Sequence, residues 1–128
     1  MTNRTSPAET ATITPYFTVQ DADRLIGFLT DTFGATLVCE TRYDDHTVQH
    51  ARLKIGASLI MLNQSTDSYS PNVSQMHIHV NDADSTFQTA LRFGATSLME
   101  PNLRPHGERM AGITDPCGNI WWIASRVP

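Results

Sequence analysis

The sequence VQDAD at residues 19–23 reappears as VNDAD at residues 80–84, which lie 61 residues further along the chain. A second match follows in the same order, with FGAT at residues 33–36 and again at residues 93–96, a spacing of 60 residues. Two matched motifs in one order and at nearly one spacing indicate a tandem repeat in which each copy is one supersecondary unit. The chain is therefore predicted to contain two related modules.

The repeat divides the chain into four segments. Residues 1–12 form a polar tail that is expected to be mobile, residues 13–63 form the first module, and residues 75–126 form the second. Residues 64–74 (QSTDSYSPNVS) have the composition of a loop and link the two modules. In a chain of 128 residues the modules are expected to share one core and to form one domain.

Each module has the same predicted order of elements, βαβββ. Asp21 and Asp82 stand where a helix N-cap is expected, and Gly34 and Gly94 stand where helices end with a left-handed residue. The sequence DPCG at residues 115–118 suits a type I turn before the last strand. Helices are predicted at residues 22–33 and 83–93, and strands at residues 14–19, 35–43, 47–55, 58–63, 75–80, 95–100, 109–114 and 120–126.

Alternation along the predicted strands separates two sides of each sheet. One side is apolar and should pack on the helices, as Met76 and Ile78 illustrate on the strand at residues 75–80. The other side, which we call the polar face, is unusually rich in polar and aromatic groups. It is predicted to carry Tyr16, Thr18, His50, Arg52, Lys54, Met61, Gln75, His77, His79 and Trp122.

The composition argues against several classes of function. A formal charge of −4 leaves no basic stripe for nucleic-acid phosphates. No apolar run approaches the ~18 residues that a membrane span needs. Residues 1–12 lack the pattern of a signal peptide, so a cytoplasmic location is expected. Cys39 and Cys117 are expected to be small, buried or half-buried apolar residues, since two cysteines are too few for a disulfide scaffold and lack metal-ligand spacing.

Taken together, these features resemble the vicinal oxygen chelate superfamily, which includes glyoxalase I, bleomycin-resistance proteins and extradiol dioxygenases. The resemblance covers residues 13–126. It rests on the paired βαβββ units, on Val-x-Asp before each helix, on Phe-Gly-Ala after each helix, and on DPCGN at residues 115–119. It implies an α+β fold in which two βαβββ modules form a cup-shaped, mostly antiparallel sheet with the helices outside. It also implies a homodimer, with modules paired within one chain or exchanged between two chains.

The resemblance further implies where a metal would be held. Members that use a metal place ligands at the start of the first strand and in the middle of the last strand of each module. Those positions fall on Thr14, Met61, Gln75 and Trp122 in this sequence. Only Gln75 is a suitable ligand, because Trp122 cannot coordinate and the Met61 thioether is too soft for hard divalent ions. The usual metal site is therefore expected to be lost, and no cofactor is expected.

His77 and His79 offer a different site for a divalent metal. They stand two residues apart on one strand and point the same way, and such a pair can bind Zn, Ni or Fe. Gln75, or His50 from another strand, would complete the displaced site. The alternative interpretation is that both histidines line a pocket as hydrogen-bond donors or lie at a subunit contact.

Two further groups of residues have alternative interpretations. Trp122 and Tyr16 can stack on a planar ligand, or Trp122 can fill the space that the metal would occupy. Arg52, Lys54 and Arg109 can bind an anionic group, although such charges are also typical of a solvated strand face. A third feature, the loop at residues 102–108, is a candidate lid.

The leading functional prediction is a glyoxalase- or bleomycin-resistance-like protein that binds or sequesters a small planar or amphipathic molecule in the cup, without the usual metal. The predicted ligand contacts are Tyr16, Thr18, Arg52, Met61, Gln75, His77, His79, Arg109 and Trp122. The alternative is a lyase, isomerase or dioxygenase of the same superfamily with a rearranged metal site at His77, His79 and Gln75. A metal-free acid–base enzyme that uses either histidine is a variant of it. A third possibility is an interaction module whose cup is filled by Trp122 and Met61.

Overall fold

The computed structural model describes residues 11–127, so residues 1–10 of the predicted tail lie outside the described part of the chain. The elements follow the predicted βαβββ order twice. They are β1 (Tyr16–Val19), α1 (Ala22–Phe33), β2 (Thr36–Arg42), β3 (Val48–Ile55), β4 (Ser58–Gln64), β5 (Gln75–His79), α2 (Ala83–Arg92), β6 (Thr96–Leu103), β7 (Glu108–Thr114) and β8 (Ile120–Arg126).

Each module forms one four-stranded mixed sheet. The strand orders are β1-β4-β3-β2 in the first sheet and β5-β8-β7-β6 in the second. β1 runs parallel to β4 and β5 runs parallel to β8, while the other neighbours are antiparallel. The predicted α+β fold with tandem βαβββ modules is confirmed. Within residues 11–127 no hydrogen-bonded strand pair joins the two sheets.

Both helices begin with the predicted caps. The Asp21 carboxylate accepts a hydrogen bond from the backbone N–H of Arg24 at 3.1 Å, and Asp82 accepts one from Ser85 at 3.2 Å. Gly34 ends α1 in the left-handed conformation with φ 71°. α2 ends at Arg92, one residue before its predicted end, and Gly94, with φ 108°, follows two residues later.

The last strand of each module also fastens the start of its helix. The side-chain oxygen of Gln64 accepts a hydrogen bond from the backbone N–H of Ala22, and the hydroxyl of Ser125 accepts one from Ala83, both at 2.9 Å. Gln64 and Ser125 are equivalent positions of the repeat, as are the two alanines. The first N–H groups of a helix have no partner within the helix, so these bonds fix each helix against its own sheet.

One core joins the two modules, and it lies on the helix side of both sheets. The Phe17 ring of the first sheet stacks on Trp121 of the second, with ring centroids 5.8 Å apart, and Phe33 packs on Trp121 at 5.0 Å. Trp121 is only 2% exposed, and its Nε1–H donates to the Asp115 carboxylate at 2.8 Å. Since residues alternate along a strand, each polar face lies on the side of its sheet away from this core.

The main difference from the predicted elements lies in β6. This strand runs to Leu103, three residues beyond its predicted end, and includes Pro101. Proline is tolerated because β6 is an edge strand, and its pairing with β7 is irregular between Met99 and Asn102. The other ends of helices and strands agree with the prediction to within two residues.

Residues 102–108, the candidate lid, are not one continuous loop, because they include the end of β6 and the first residue of β7. The structure has a tight hairpin turn there instead, in which the Arg104 N–H donates to the Glu108 carbonyl at 2.7 Å and Gly107 donates back to Arg104 at 3.0 Å. Gly107 has φ 81°, which a residue without Cβ adopts most readily. This turn joins β6 to β7 within one sheet.

The two cysteines differ in their surroundings. Cys117 is half-buried, as expected, and burial raises the pKa of its thiol. Cys39 is exposed, which corrects the prediction, because it lies on the edge strand β2, where every residue is exposed. Both thiols are free. No helix among residues 11–127 combines the length and apolar character that crossing a membrane requires.

Candidate functional site

The polar face of the second sheet is centred on Trp122. In the strand register Trp122 lies between His77 of β5 and Gly112 of β7, and Met99 of β6 lies next to Gly112. A Cβ atom at Gly112 would lie 2.6 Å from Cζ3 of Trp122, so any side chain there must displace the indole. The six-membered ring of Trp122 is therefore seated directly against the backbone of β7.

The other end of the indole is held by Gln75. The Trp122 Nε1–H donates to Gln75 Oε1 at 2.5 Å. Gln75 begins β5, which runs parallel to the strand that carries Trp122, so both side chains project from the same face. The indole is fixed at two points, one on each neighbouring strand. Trp122 stays half-buried, so part of its surface is open.

These contacts do not fit a metal at the usual superfamily positions. The carboxamide oxygen of Gln75, which is its metal-binding atom, is engaged by the indole of Trp122. Trp122 offers no ligand atom, and Met61 offers only a thioether. In the described part of the chain, no cluster of three or more His, Cys, Asp or Glu side chains forms a potential metal site.

His77 and His79 lie together on the same face as Trp122. Their ring centroids are 5.3 Å apart, and Nε2 of His79 lies 3.3 Å from a carboxylate oxygen of Glu108. The side chain of His79 is 58% exposed. Sequence reasoning missed Glu108 because it placed this residue in a loop, although a strand beginning one residue earlier would have brought it to the face of His79. In the predicted displaced metal site of His77, His79 and Gln75, the oxygen that Gln75 would give to a metal is already bonded to Trp122.

The polar face of the first sheet carries a different group. The Tyr16 hydroxyl and Nδ1 of His50 are hydrogen-bonded at 3.2 Å, and their rings tilt toward each other at 5.8 Å. Met61 lies between Tyr16 and Arg52 in the strand register. Tyr16 is 45% exposed, and partial burial, with a smaller contribution from Tyr43, raises the pKa of its phenol. This face thus combines one aromatic side chain, a thioether and basic groups.

The structure does not bring Arg109 to the other two cations. Its guanidinium forms two hydrogen bonds with the Asp84 carboxylate, at 2.8 Å and 3.1 Å. Asp84 lies in the first turn of α2, so Arg109 projects from the helix side of its sheet. The same hydrogen bonds lower the pKa of Asp84 and raise that of Arg109. Arg52 and Lys54 lie on β3 of the other sheet.

Apart from Arg109, the predicted contact residues fall into two groups within one chain. The first sheet carries one group on its polar face, and the second sheet carries the other. Because the shared core lies between the sheets on their helix sides, the two polar faces point away from each other. The groups are Tyr16, Thr18, Arg52 and Met61 on the first sheet, and Gln75, His77, His79 and Trp122 on the second.

A groove of about 960 Å³ separates the modules along the open edge of β5. It is bounded by β5, by the turn between β3 and β4, and by the first turn of α2. Much of its lining is apolar, including Pro15, Phe33, Ile60, Met76 and Ile78. Sequence reasoning did not identify this groove, because it depends on how the two modules pack. It leaves the β5 backbone accessible along one edge.

Comparison with known sequences identifies the class of protein. Residues 11–123 match the sequence model of the Glyoxalase/Bleomycin resistance protein/Dioxygenase superfamily, and the chain belongs to this superfamily. The uncharacterized protein Rv0887c of Mycobacterium tuberculosis H37Rv is 28% identical over 126 residues, which are 90% of this chain and 74% of that protein.

Solved structures show the same fold at low sequence identity. TioX from Micromonospora sp. ML1 superposes with a TM-score of 0.73 at 22% identity, over 92% of this chain and 98% of that one. A glyoxalase/bleomycin resistance protein/dioxygenase family enzyme from Burkholderia phytofirmans PsJN has a TM-score of 0.73 at 18% identity, over 88% and 95% of the two chains. These similarities support the fold and leave function to the site itself.

Proposed function

We propose that this protein binds a small planar or amphipathic molecule against Trp122, without a metal at the usual superfamily site. The observation that carries the proposal is the fixed indole. Gln75 holds its Nε1–H, Gly112 seats its six-membered ring, and its remaining surface is open. An aromatic surface held in one orientation, with a few polar groups beside it, is typical of a small-molecule pocket.

Polar groups that would orient the ligand stand on the β5 side of the indole, and an apolar side chain stands on the other side. His77 lies beside Trp122 in the strand register, and His79 with its partner Glu108 lies one step further along the strand. Met99 lies on the opposite side of Gly112 and would add an adaptable apolar contact. The second sheet thus supplies one wall of the site, with an aromatic centre and a polar rim.

We further propose that the second wall comes from the first sheet of another copy of the chain. Within one chain the two polar faces point apart, so a cup that uses both would need the first sheet of one chain to face the second sheet of another. The open edge of β5 and the 45% exposure of Tyr16 support such a contact. The partner's wall would present a tyrosine, a thioether and the cations Arg52 and Lys54 to the ligand.

Tryptophan fluorescence tests the binding proposal. Trp121 and Trp122 are the two tryptophans of the chain, and Trp121 is buried in the core. A planar ligand should quench the Trp122 emission saturably, and Trp122→Phe should abolish the response while the Trp121 emission remains. If planar compounds give no saturable change, or if Trp122→Phe responds as the wild type does, the proposed site is wrong.

Light scattering after gel filtration tests the two-chain cup. We expect a mass about twice the 14.2 kDa of one chain. Met61→Arg, which adds charge to the proposed contact wall, should lower both the mass and the ligand affinity. Asp44→Arg, in an exposed turn away from that wall, is the matched control. A monomeric protein that still binds the ligand would contradict the two-chain cup and leave a site on one wall.

The contact between His79 and Glu108 favours one alternative, a metal-free acid–base enzyme. A carboxylate beside an imidazole can hold it in the orientation that proton transfer needs. Such an enzyme would convert a bound ligand, and His79→Gln would stop conversion while binding persists. A ligand recovered unchanged after long incubation with the wild-type protein would count against this alternative and for simple binding.

A further inference from the structure

We infer that Gln75 determines the specificity of this site: while its oxygen orients Trp122, its amide nitrogen selects planar ligands that carry a hydrogen-bond acceptor at the ring edge. The orienting role concerns the protein alone, whereas the ligand selection rests on the proposed function. Gln75 also occupies a position where the superfamily resemblance implies a metal ligand, so the same side chain would serve recognition here.

The chemistry of the pair fixes which end of the carboxamide faces the indole. The indole Nε1–H is only a donor, whereas the glutamine side chain has an acceptor oxygen and a donor nitrogen. The reverse orientation would set two donors against each other, so Oε1 must meet the Nε1–H that lies 2.5 Å away. The Nε2 group must then point elsewhere.

The Nε2 group of Gln75 has no hydrogen-bond partner among the polar atoms of residues 11–127, and Gln75 is exposed. It projects from the same face as the indole, since Gln75 pairs with Ile120, two residues before Trp122 on β8. Gly112 seats the opposite end of the ring. A donor with two N–H groups therefore stands at the nitrogen edge of a fixed aromatic surface.

This arrangement discriminates between ligands of the same size and shape. A ring that stacks on Trp122 and carries a carbonyl at its edge can accept a hydrogen bond from Nε2. A ring whose only polar group is an N–H meets a second donor, and where the stacked ring excludes water both groups are left unpaired. Specificity based on such unpaired groups exceeds what stacking alone provides. The ligand class is therefore planar aromatic ketones, lactones or amides.

Nuclear magnetic resonance tests the orienting role without any ligand. The chain has two tryptophans, so a ¹H–¹⁵N spectrum shows two indole signals. Gln75→Leu should move the Trp122 Nε1–H signal upfield and speed its exchange with water. The Trp121 signal, whose N–H is bonded to buried Asp115, should stay in place. An unchanged Trp122 signal would overturn the orienting role.

Gln75→Glu provides the second variant and separates the two roles. Its carboxylate can still accept from Trp122, so the Trp122 signal should stay downfield and show slow exchange, but it has no Nε2 donor. If Gln75→Leu disturbs the fold and shifts the Trp121 signal as well, Gln75→Glu still tests whether the Nε2 group selects the ligand. A Gln75→Glu protein that retains the wild-type ligand preference would overturn it.

Chromone and indole are suitable probes, since both are planar bicyclic molecules and only chromone carries an edge carbonyl. Measured by calorimetry, the wild type should bind chromone about tenfold more tightly than indole, and both variants should lose this preference. Equal wild-type affinities would overturn the selection and leave the proposed function standing. If neither probe binds, the proposed function fails as well, while the indole signals still decide the orienting role.

Discussion

The two modules of this protein are nearly alike on their helix sides and different on their polar faces. On the helix side, Gln64 and Ser125 occupy equivalent positions and accept the same hydrogen bond from the first residue of their helices. On the polar face, the equivalent of Met61 is Trp122. The helix side must pack a core in both copies, whereas the polar face is not bound by that requirement.

The neighbours of that pair differ in a matching way. Met61 pairs with Arg52 on the adjacent strand, while Trp122 pairs with Gly112. Gly112 leaves room for the broad indole of Trp122, whereas the narrower Met61 side chain can lie beside the long side chain of Arg52. The fixed indole is therefore a feature of the second module alone, built from Trp122, Gly112 and Gln75.

The largest expected effect separates two adjacent tryptophans on opposite faces of β8. Trp121→Ala should lower the free energy of unfolding by about 3–5 kcal/mol, because it empties a core position between Phe17 and Phe33. Trp122→Ala should lower it by less than about 1.5 kcal/mol, because that ring is half-exposed. Urea denaturation at one protein concentration measures both values. Equal losses would contradict the division into core and site.

The next largest effect on stability is expected from a substitution at Gly112, against which the Trp122 ring packs. Gly112→Ala should lower the free energy of unfolding by about 1–3 kcal/mol, because the new Cβ collides with Trp122. Adding Trp122→Leu should restore part of the loss. Gly27→Ala is the matched control: this exposed helix residue has open space around it, so the change should raise stability by about 0.5–1 kcal/mol. A harmless Gly112→Ala would show that the ring is not held there.

The helix anchors allow a smaller comparison between the modules. Ser125→Ala leaves the Ala83 N–H buried without a partner and should lower the free energy of unfolding by about 1–2 kcal/mol. Gln64→Ala also removes a hydrogen bond to the Gln20 carbonyl, but it should lower the free energy of unfolding by under about 1 kcal/mol, because water can reach the half-buried site of Gln64. Thermal denaturation of the two variants measures the difference. A larger loss for Gln64→Ala would contradict this order.

The smallest expected effect is the pH dependence of two ion pairs whose carboxylates are repeat equivalents. Asp23 and Asp84 are repeat equivalents, and each is paired with an arginine, Arg42 in the first module and Arg109 in the second. Hydrogen bonds from these arginines lower the pKa of both carboxyls. A lowered pKa stabilises the folded state above the unfolded-state pKa of about 3.9. That stabilisation is lost as the pH falls through the folded-state pKa.

Acid titration of unfolding in low salt, with Arg42→Met and Arg109→Met as variants, measures this dependence. Each variant should have a shallower loss of stability below about pH 4 than the wild type, and added salt should reduce the difference. Both pairs are largely exposed, so each contribution is small. Identical pH profiles for wild type and variants would contradict the assignment of the lowered pKa values to these pairs.

The repeat made most of the fold predictable, because it placed caps, helices and strands twice over. Alternation also separated Trp121 from Trp122 correctly. Alternation also predicts that Arg109 lies on the helix side of its sheet, because it is two and four residues from the buried Ala111 and Ile113 on β7. The prediction grouped Arg109 with Arg52 and Lys54 by charge and did not apply this alternation to it.

Three features of the site depend on packing that alternation does not encode. The seat at Gly112 follows from the register between β7 and β8, and the Glu108 contact follows from where β7 begins. The separation of the two polar faces follows from the stack of Phe17 on Trp121, which joins the modules through their helix sides. A sequence pattern assigns a residue to a face but does not say which faces meet.

The most direct test of the account is a titration of chromone into protein stripped of metal with EDTA, followed through the two indole Nε1–H signals. We expect the Trp122 signal to move saturably while the Trp121 signal stays in place. If neither signal moves up to the solubility of chromone, if both move alike, or if binding appears only after a divalent metal is added, a metal-free site on Trp122 is contradicted.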